Sequence, residues 1–276
     1  MLWDLLARYR AVRRFPGYSP QKVTLRTVSK WLGQFPREDH GALLKLLLRV
    51  RYFSEQETRD ALMQSNRSLL ARLEEAGIPA DHVIYMQIDE AGSSSPVMLN
   101  MLRDAARLEG RGCKFCDSKD ILGFQRLMNK LEEGAIVYVD DFAGTGDQFC
   151  GSRRYLAEYI VGSFSEFFLL PCICEEAESQ VAAQGVEPVY SHLDRACDRP
   201  LHDAGQVLPP ALKERLVTLC SEVIGRPNSG LGYHRLAAMV VFYRNAVNQV
   251  PAVLRGNKLQ DRYVGVLPRT TDLPCQ

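Results

Sequence analysis

The sequence contains no uninterrupted apolar run of about 18 residues, the length that a membrane-spanning helix requires. It also lacks the pattern of a secretory signal, because Met1–Arg8 does not combine a positive start with a long apolar stretch. Internal repeats and low-complexity tracts are absent from it as well. These absences predict a soluble, cytoplasmic protein.

The eight cysteines lack the second half of a zinc site. Cys113 and Cys116 have the spacing of a zinc knuckle, yet neither a second Cys-x-x-Cys pair nor a His pair follows at a suitable distance. We therefore expect reduced, structural thiols. Metal binding by Cys113 and Cys116 is the alternative that the sequence leaves open.

What is present is a globular composition with an uneven charge distribution. The 276 residues are 46% hydrophobic and 24% charged, enough for one large domain or for a core domain with a smaller one. The net charge is +1, but residues 1–50 carry ten Lys or Arg against three acids. Such a basic amino end is typical of a region that contacts nucleic acid or an acidic partner, although a solvated helical surface explains it too.

The amino-terminal part of the chain has helical patterns. Residues 1–20 break at a Pro-Gly and a Ser-Pro pair, which favours an arm over a packed element. Residues 24–73 then repeat apolar side chains at helical spacing. Within them, Ser54 and Glu57 have the spacing of a capping box, which predicts the start of a helix.

We expect two domains. Residues 1–78 are predicted to form a helical module with the basic arm, either a packing subdomain or a winged-helix-like nucleic-acid module. Residues 79–276 are predicted to form an α/β domain with a parallel sheet, because short apolar segments alternate with helical patterns. Residues 110–120 are predicted as a flexible crossing loop. Strands are expected at residues 82–88, 135–139, 167–174, 186–190 and 236–243, and helices at residues 97–108, 124–131, 155–161 and 210–224.

The main candidate site follows the predicted strand at residues 135–139. Asp140 and Asp141 come at its carboxyl end, which is the edge of an open α/β sheet where ligands bind. The loop Ala143-Gly144-Thr145-Gly146 then enters a helix. Its glycines can adopt positive φ and turn N–H groups toward an anion, and the helix adds the positive end of its dipole. The pattern predicts a phosphate-binding loop.

Two other segments follow predicted strands. Gly92-Ser93-Ser94-Ser95 offers hydroxyls and N–H groups that suit a second phosphate, and an ordinary polar turn explains it equally well. Asn245 and Asn248 follow the last predicted strand. They are expected either to line the ligand edge or to cap a turn.

Four apolar residues, two acids and a small-Gly-Thr-Gly loop together resemble the ribose-phosphate signature of type I phosphoribosyltransferases. Further segments resemble the phosphoribosyltransferase-like proteins of bacterial conflict systems, which accompany retrons and other antiphage operons. The resemblance covers residues 24–269 and implies a type I phosphoribosyltransferase-like parallel sheet flanked by helices. The segments that carry it are Trp31-Leu-Gly-Gln-Phe35, Arg51-Tyr-Phe-Ser54, Asp140–Gln148 and Asn245–Pro251.

The resemblance implies a role for each matching residue. Asp140 and Asp141 would hold the 2- and 3-hydroxyls of a ribose, and Ala143 to Gln148 would wrap its 5-phosphate. The residues from Gly92 to Ser95 would be the diphosphate loop. Mg²⁺ would bridge diphosphate and ribose, since it prefers oxygen ligands and substrate phosphates. The reaction would pass through an oxocarbenium-like state, which carboxylates near the ring stabilise.

Asp147 departs from the pattern of active enzymes, which have a hydroxyl or a glycine contacting the phosphate at that position. A carboxylate repels a dianion but serves well as a helix N-cap. The ligand is then a nucleoside, a nucleotide bound differently, or none. Residues 92–96 contain no basic side chain either. The residues that could supply compensating charge are Lys114, Lys119, Arg153 and Arg154.

The resemblance implies a phosphoribosyltransferase-like effector or accessory protein of an antiphage defence system, which binds or processes a ribose-phosphate or nucleotide metabolite. The alternative is a catalytically inactive binding module. Such a module would dock a reverse transcriptase or a nucleic-acid partner from the same operon through its basic amino-terminal region. An ordinary nucleotide-salvage transferase is a third hypothesis, which Asp147 disfavours. The sequence does not determine whether the protein is active, nor its substrate base, oligomeric state, partner or trigger.

Overall fold

The structure is a computed structural model that describes residues 2–88, 94–256 and 263–273, with side chains from residue 5 onward. The chain forms two compact units, of which Thr58–Asp194 is one and Met1–Glu57 with Arg195–Gln276 is the other. The domain division predicted between residues 78 and 79 stays a prediction. The helices and strands are α1 (Leu2–Arg14), α2 (Leu25–Leu32), α3 (His40–Leu47), β1 (Arg51–Phe53), α4 (Glu55–Glu75), β2 (Val83–Gln87), α5 (Ser94–Ala106), β3 (Lys114–Asp117), α6 (Ile121–Leu131), β4 (Glu133–Val139), β5 (Phe142–Ala143), α7 (Asp147–Ala157), β6 (Ser163–Cys174), α8 (Glu175–Ala182), β7 (Glu187–Asp194), α9 (Pro210–Ile224), β8 (Val240–Phe242), β9 (Asn245–Ala246) and α10 (Ala252–Arg255).

The unit Thr58–Asp194 is built on a six-stranded sheet, in which the pairings are parallel. The strands lie in the order β3, β2, β4 and β6, and β7 pairs with β6. The short strand β5 also pairs with β6, beyond the end of β4, through Phe142 with Cys172 and Ala143 with Ile173. This confirms the predicted α/β fold with a parallel sheet flanked by helices.

Both faces of this sheet are buried, as the apolar strand segments predict. Successive residues of a strand point to opposite faces. On β4, Val137 therefore packs in one hydrophobic cluster with residues of α4 and α5, whereas Ile136 packs in the other with residues of α6, α7 and α8. Gly134 allows β4 to begin close to β2, because a Cβ built on it, at a φ of 152°, would lie 2.1 Å from the His82 carbonyl oxygen.

The other unit contains a three-stranded sheet in the order β1, β8, β9. Strand β1 pairs parallel with β8, and β8 pairs antiparallel with β9. The strand predicted at residues 236–243 is thus shorter than expected and belongs to this sheet instead of the six-stranded one. Strand β1 was not predicted.

The expectation of an unpacked arm at residues 1–20 is wrong. Residues 2–14 form α1, which packs against α2 and α3. Ala7 and Ala11, which lie one turn apart on one side of the helix, are buried. Their small side chains let α1 approach its neighbouring helices closely. Phe15 and Tyr18, beyond the helix end, are also buried, and the Tyr18 hydroxyl donates to the Pro268 carbonyl oxygen at 2.6 Å.

One local signal placed the start of a helix correctly. The Ser54–Glu57 capping box is confirmed, since the Glu57 N–H donates to Ser54 Oγ at 3.2 Å and the Ser54 N–H donates to Glu57 Oε2 at 3.0 Å. Helix α4 follows directly.

The expectation of a flexible loop at residues 110–120 is wrong, because residues 114–117 form the edge strand β3.

Across residues 2–88, 94–256 and 263–273, the structure contains no helix with the length and apolar character that crossing a membrane requires.

Candidate active site

The acid pair lies at the carboxyl edge of the six-stranded sheet, directly after β4. Asp140 is 6% exposed, and its N–H donates to the Leu169 carbonyl oxygen on β6 at 3.2 Å. Its Oδ1 atom accepts two hydrogen bonds of 2.8 Å, one from the Ser94 hydroxyl and one from the Asp141 N–H. These contacts hold the carboxylate in one orientation. Asp141 is half-buried beside it.

Helix α5 begins within the predicted diphosphate loop, at Ser94, and its first residue contacts Asp140 of the acid pair. Ser95 is fully buried, and its hydroxyl donates to the Val139 carbonyl oxygen at 2.6 Å while accepting from the Ile88 N–H at 2.9 Å. The end of β2, the start of α5 and the end of β4 are thereby joined by one side chain. Gly92 and Ser93 lie outside the described residues. The diphosphate role of residues 92–95 stays a prediction.

The loop after the acid pair differs in part from the expected turn. Gly146 has a positive φ of 87°, whereas Gly144 does not. A Cβ on Gly146 would meet atoms of Gln180 and Ala177 at 3.4–3.5 Å, so helix α8 lies close to the loop. The positive φ favours glycine at the second of the two loop positions.

Asp147 is the first residue of α7, and the N-cap is Gly146. The expectation that Asp147 caps the helix is therefore wrong. Its carboxylate instead accepts hydrogen bonds from the Thr145 hydroxyl at 2.8 Å and from the Gln180 amide at 3.1 Å. Its own N–H donates to Thr145 Oγ1 at 3.3 Å. The sequence offered no signal for Gln180, because its proximity depends on how α8 packs.

Aromatic packing fixes the start of α7 on the sheet. The Phe149 ring, next to Gln148 in the chain, stacks on Phe168 of β6 with centroids 4.0 Å apart and planes at 11°. It also meets the Tyr138 ring edge to face at 5.2 Å. Because β5 pairs with β6 at the other end, the loop at residues 143–148 is anchored on both sides.

Of the four predicted compensating charges, Lys119 lies two residues beyond the carboxyl end of β3. Its N–H donates to Asp117 Oδ1 at 2.9 Å. Lys114 begins the same strand at its opposite end. Arg153 pairs with Glu166 of β6 at 2.6 Å, and this hydrogen bond raises the pKa of Arg153. Arg154 lies on α7 and is exposed.

The sequence profile of the PRTase-CE family matches residues 28–269. The chain belongs to the PRTase-CE family. This membership confirms a phosphoribosyltransferase-like protein. Among solved structures, the PRTase-CE chain is similar to the orotate phosphoribosyltransferase from Aeropyrum pernix, with 18% identity, a TM-score of 0.28, and coverage of 60% of this chain and 75% of that one. A comparison with curated proteins gives no match.

In this PRTase-CE protein, Asn245 and Asn248 lie in the unit that contains the three-stranded sheet. Asn245 Oδ1 accepts from the Thr270 N–H at 2.9 Å, and Asn248 Oδ1 accepts from the Arg269 guanidinium. Both side chains therefore hold the segment at residues 269–270 in place through hydrogen bonds. Their predicted role at the ligand edge stays a prediction.

The Cys113 and Cys116 thiols of the PRTase-CE chain form no disulfide. Cys113 is buried just before β3, and Cys116 is half-buried within that strand. Burial raises the pKa of the Cys116 thiol to about 11 and also raises that of Cys113. Among the residues that the structure describes, no group of three His, Cys, Asp or Glu side chains could hold a metal ion.

Proposed function

We propose that the protein binds, and acts on, a ribose-containing metabolite such as a ribose phosphate or a nucleotide at the loop that starts with Asp140 and Asp141. The observation that carries this proposal is the orientation of Asp140 at the carboxyl edge of the sheet by the Ser94 hydroxyl and the Asp141 N–H. Ionised carboxylates accept hydrogen bonds but do not donate them, so the pair suits two adjacent ribose hydroxyls. Membership of the PRTase-CE family supports it.

The chemistry that fits this site is transfer or cleavage at the anomeric carbon of the ribose. Positive charge develops on the ring as the bond to the leaving group breaks. Carboxylates held close to the ring hydroxyls stabilise that charge more in the transition state than in the ground state. Asp140 and Asp141 would act in this way, and a protein nucleophile is not required.

Mg²⁺ is the metal that we propose for this site. The donor set fits it in part, because Asp140 and Asp141 provide carboxylate oxygens and Mg²⁺ prefers oxygen ligands. A cage made by the protein alone does not fit, since the described residues contain no cluster of three suitable side chains. Phosphate oxygens of the ligand would complete the coordination, and the bound ion would neutralise charge on a leaving diphosphate.

The biological role that we propose is that of an effector or accessory protein in a bacterial antiphage defence system such as a retron. It rests on the resemblance of four chain segments to phosphoribosyltransferase-like proteins of such systems. Under this proposal, phage infection starts the activity at the acid pair, and the loss or release of a nucleotide-derived metabolite stops phage growth.

Metabolite profiling tests the activity. Cells that express the protein together with its genomic neighbours should show a changed ribose-containing metabolite pool during phage infection. Cells that express the Asp140→Asn/Asp141→Asn variant should not show it, because Asn keeps the shape of each side chain but removes its charge. Identical pools in the two strains would contradict the proposed activity, and equal phage titres with and without the protein would contradict the defence role.

A second candidate is a catalytically inactive module that docks a reverse transcriptase or a nucleic acid. The exposed face of α1 favours it, since Leu5, Leu6 and Tyr9 are 49–58% exposed and the Arg13 guanidinium lies 5.8 Å from the Tyr9 ring centroid. Exposed aromatic rings beside arginines suit stacking on nucleotide bases. Arg14 is less suitable, because its Nε donates to the Val50 carbonyl oxygen.

Salt-dependent binding separates this second candidate from the first. Arg13→Glu should weaken the association with single-stranded nucleic acid and flatten its dependence on salt. The variant would contact fewer phosphates and would therefore release fewer counterions on binding. Lys45→Glu, a charge reversal on α3, serves as the matched control. Equal affinity and equal salt slope for the wild type and the Arg13 variant would remove α1 as a nucleic-acid surface.

A further inference from the structure

The start of α7 is the place where a phosphate would bind at this loop. A helix amino end offers N–H groups that no carbonyl of the helix accepts and a positive dipole end, and the Thr145 hydroxyl lies next to it. Helix α7 has 11 residues, and Gly146, with its positive φ, leads into it. The sequence pattern therefore predicts an anion at this position.

The Asp147 carboxylate already takes the place of that anion. The Thr145 hydroxyl donates to one carboxylate oxygen of Asp147, and the Gln180 amide donates to the other. The Asp147 N–H is itself engaged with Thr145 Oγ1. Donors that an incoming phosphate would need are thus directed at a carboxylate of the protein.

The charge around the loop also opposes a phosphate. Residues 140–148 contain three Asp and no Lys or Arg. Helix α8, which packs against α7 and carries Gln180, begins with Glu175 and Glu176. A phosphate dianion placed at the start of α7 would lie close to the Asp147 carboxylate, and like charges at such distances repel.

From these contacts we infer that the site accepts a ribose whose 5′ position is an uncharged hydroxyl, which means a nucleoside or a ribose that carries its phosphate on another carbon. Asp147 accepts a hydrogen bond from the 5′-hydroxyl, and Gln180 holds the Asp147 carboxylate in position. Asp147 is exposed, so it is accessible to a ligand. This inference rests on the proposed function, because it requires the ribose to bind at Asp140 and Asp141.

Equilibrium binding of matched ligand pairs tests the inference. The probes are the four common ribonucleosides and their 5′-monophosphates, titrated into the full chain at about 0.05 M and about 0.5 M salt. The wild type should prefer at least one nucleoside over its 5′-monophosphate. Asp147→Asn, which keeps the shape of the side chain, should shift that preference toward the monophosphate by about tenfold at low salt and by less at high salt, because Asp147 is exposed to solvent and screened.

The outcomes separate this inference from the proposed function. If the wild type prefers the 5′-monophosphate, or if Asp147→Asn leaves the preference unchanged, the inference is overturned while the ribose site stands. If nucleoside binding is the same in the Asp140→Asn/Asp141→Asn variant, the proposed function and the inference are overturned together. If neither ligand of any pair binds, the inference is overturned. A nucleoside preference that depends on all three acids supports both.

Discussion

Two buried carboxylates, one in each unit, differ in the donors that hold them. Asp39, in the unit with the three-stranded sheet, is paired with Arg215 of α9, whose Nε lies 2.9 Å from Asp39 Oδ1. Asp140, at the edge of the six-stranded sheet, accepts from a serine hydroxyl and a backbone N–H. The first carboxylate is paired with a guanidinium, whereas the second accepts from a hydroxyl and a backbone N–H.

Under the proposed function, this difference separates a carboxylate that stabilises the fold from one that is oriented for a ligand. The guanidinium of Arg215 compensates the charge of Asp39, so the pair joins two parts of one unit. A hydroxyl and an N–H fix the direction of the Asp140 carboxylate. Under the proposed function, the carboxylate so directed would accept from the hydroxyls of a ribose and stabilise a developing oxocarbenium ion.

The largest effect is expected for Asp140→Asn combined with Asp141→Asn. Ribose-ligand affinity should fall by about 100-fold, since two hydrogen bonds to charged groups are weakened. The free energy of unfolding should change by less than about 1 kcal/mol, because an Asn side chain at position 140 still accepts from the Ser94 hydroxyl and from the backbone N–H of residue 141. Titration calorimetry and urea unfolding measure the two quantities. A large loss of stability with unchanged affinity would show that Asp140 and Asp141 stabilise the fold instead of binding the ligand.

The opposite pattern is expected for Asp39→Asn. It should lower the free energy of unfolding by about 0.5–1.5 kcal/mol, because the buried Asp39 side chain loses its charge while the Arg215 guanidinium is partly exposed and screened by solvent. Ligand affinity should stay within about twofold of the wild type. Urea unfolding of Asp39→Asn, Arg215→Met and the double variant gives the coupling energy. A coupling energy of zero would show that the pair is not what stabilises this unit.

The pH dependence of stability sharpens the same contrast. The hydrogen bond from Arg215 holds the pKa of Asp39 below its ordinary value. A lowered folded-state pKa contributes stability that is fully present above the unfolded pKa, at about 3.9, and is lost as the pH falls through the folded pKa. The stability difference between wild type and Asp39→Asn should therefore be constant near neutral pH and shrink below about pH 4. A difference that grows toward acid pH would contradict this assignment.

The smallest effects distinguish two adjacent serines. Ser94→Ala should weaken ribose-ligand binding by about three- to tenfold with little loss of stability, because Asp140 loses one orienting donor. Ser95→Ala should instead lower the free energy of unfolding by about 1–2 kcal/mol, since its buried hydroxyl joins Val139 and Ile88. Parallel titrations and unfolding curves compare the two variants. Equal effects of both substitutions on affinity would show that Ser94 has no separate orienting role.

The sequence predicted the parts of the fold that local patterns determine. The apolar run at residues 135–139 is a strand buried on both faces, and the Ser54–Glu57 capping box begins a helix. The acid pair was expected at the carboxyl edge of a parallel sheet because β4 ends immediately before it. In each case the residues that carry the signal are close together in the chain.

Features that depend on distant parts of the chain were missed. The pairing of Arg51–Phe53 with Val240–Phe242 joins segments near opposite ends of the sequence, and a three-residue strand has no pattern of its own. The contact of Gln180 with Asp147 depends on the packing of α8, and a lone Gln on a helix gives no signal. The burial of α1 was missed because its inner face is made of alanines, which carry little hydrophobic signal.

The binding preference for ribose hydroxyls tests the central assignment most directly. Each common ribonucleoside is compared with its 2′,3′-dideoxy analogue by titration into the wild type and into the Asp140→Asn/Asp141→Asn variant. The wild type should bind a ribonucleoside at least about tenfold more tightly than its dideoxy analogue, and the variant should bind the two equally, because the preference comes from the two carboxylates. Equal binding of both analogues by the wild type, or an unchanged preference in the variant, would contradict a ribose site at Asp140 and Asp141.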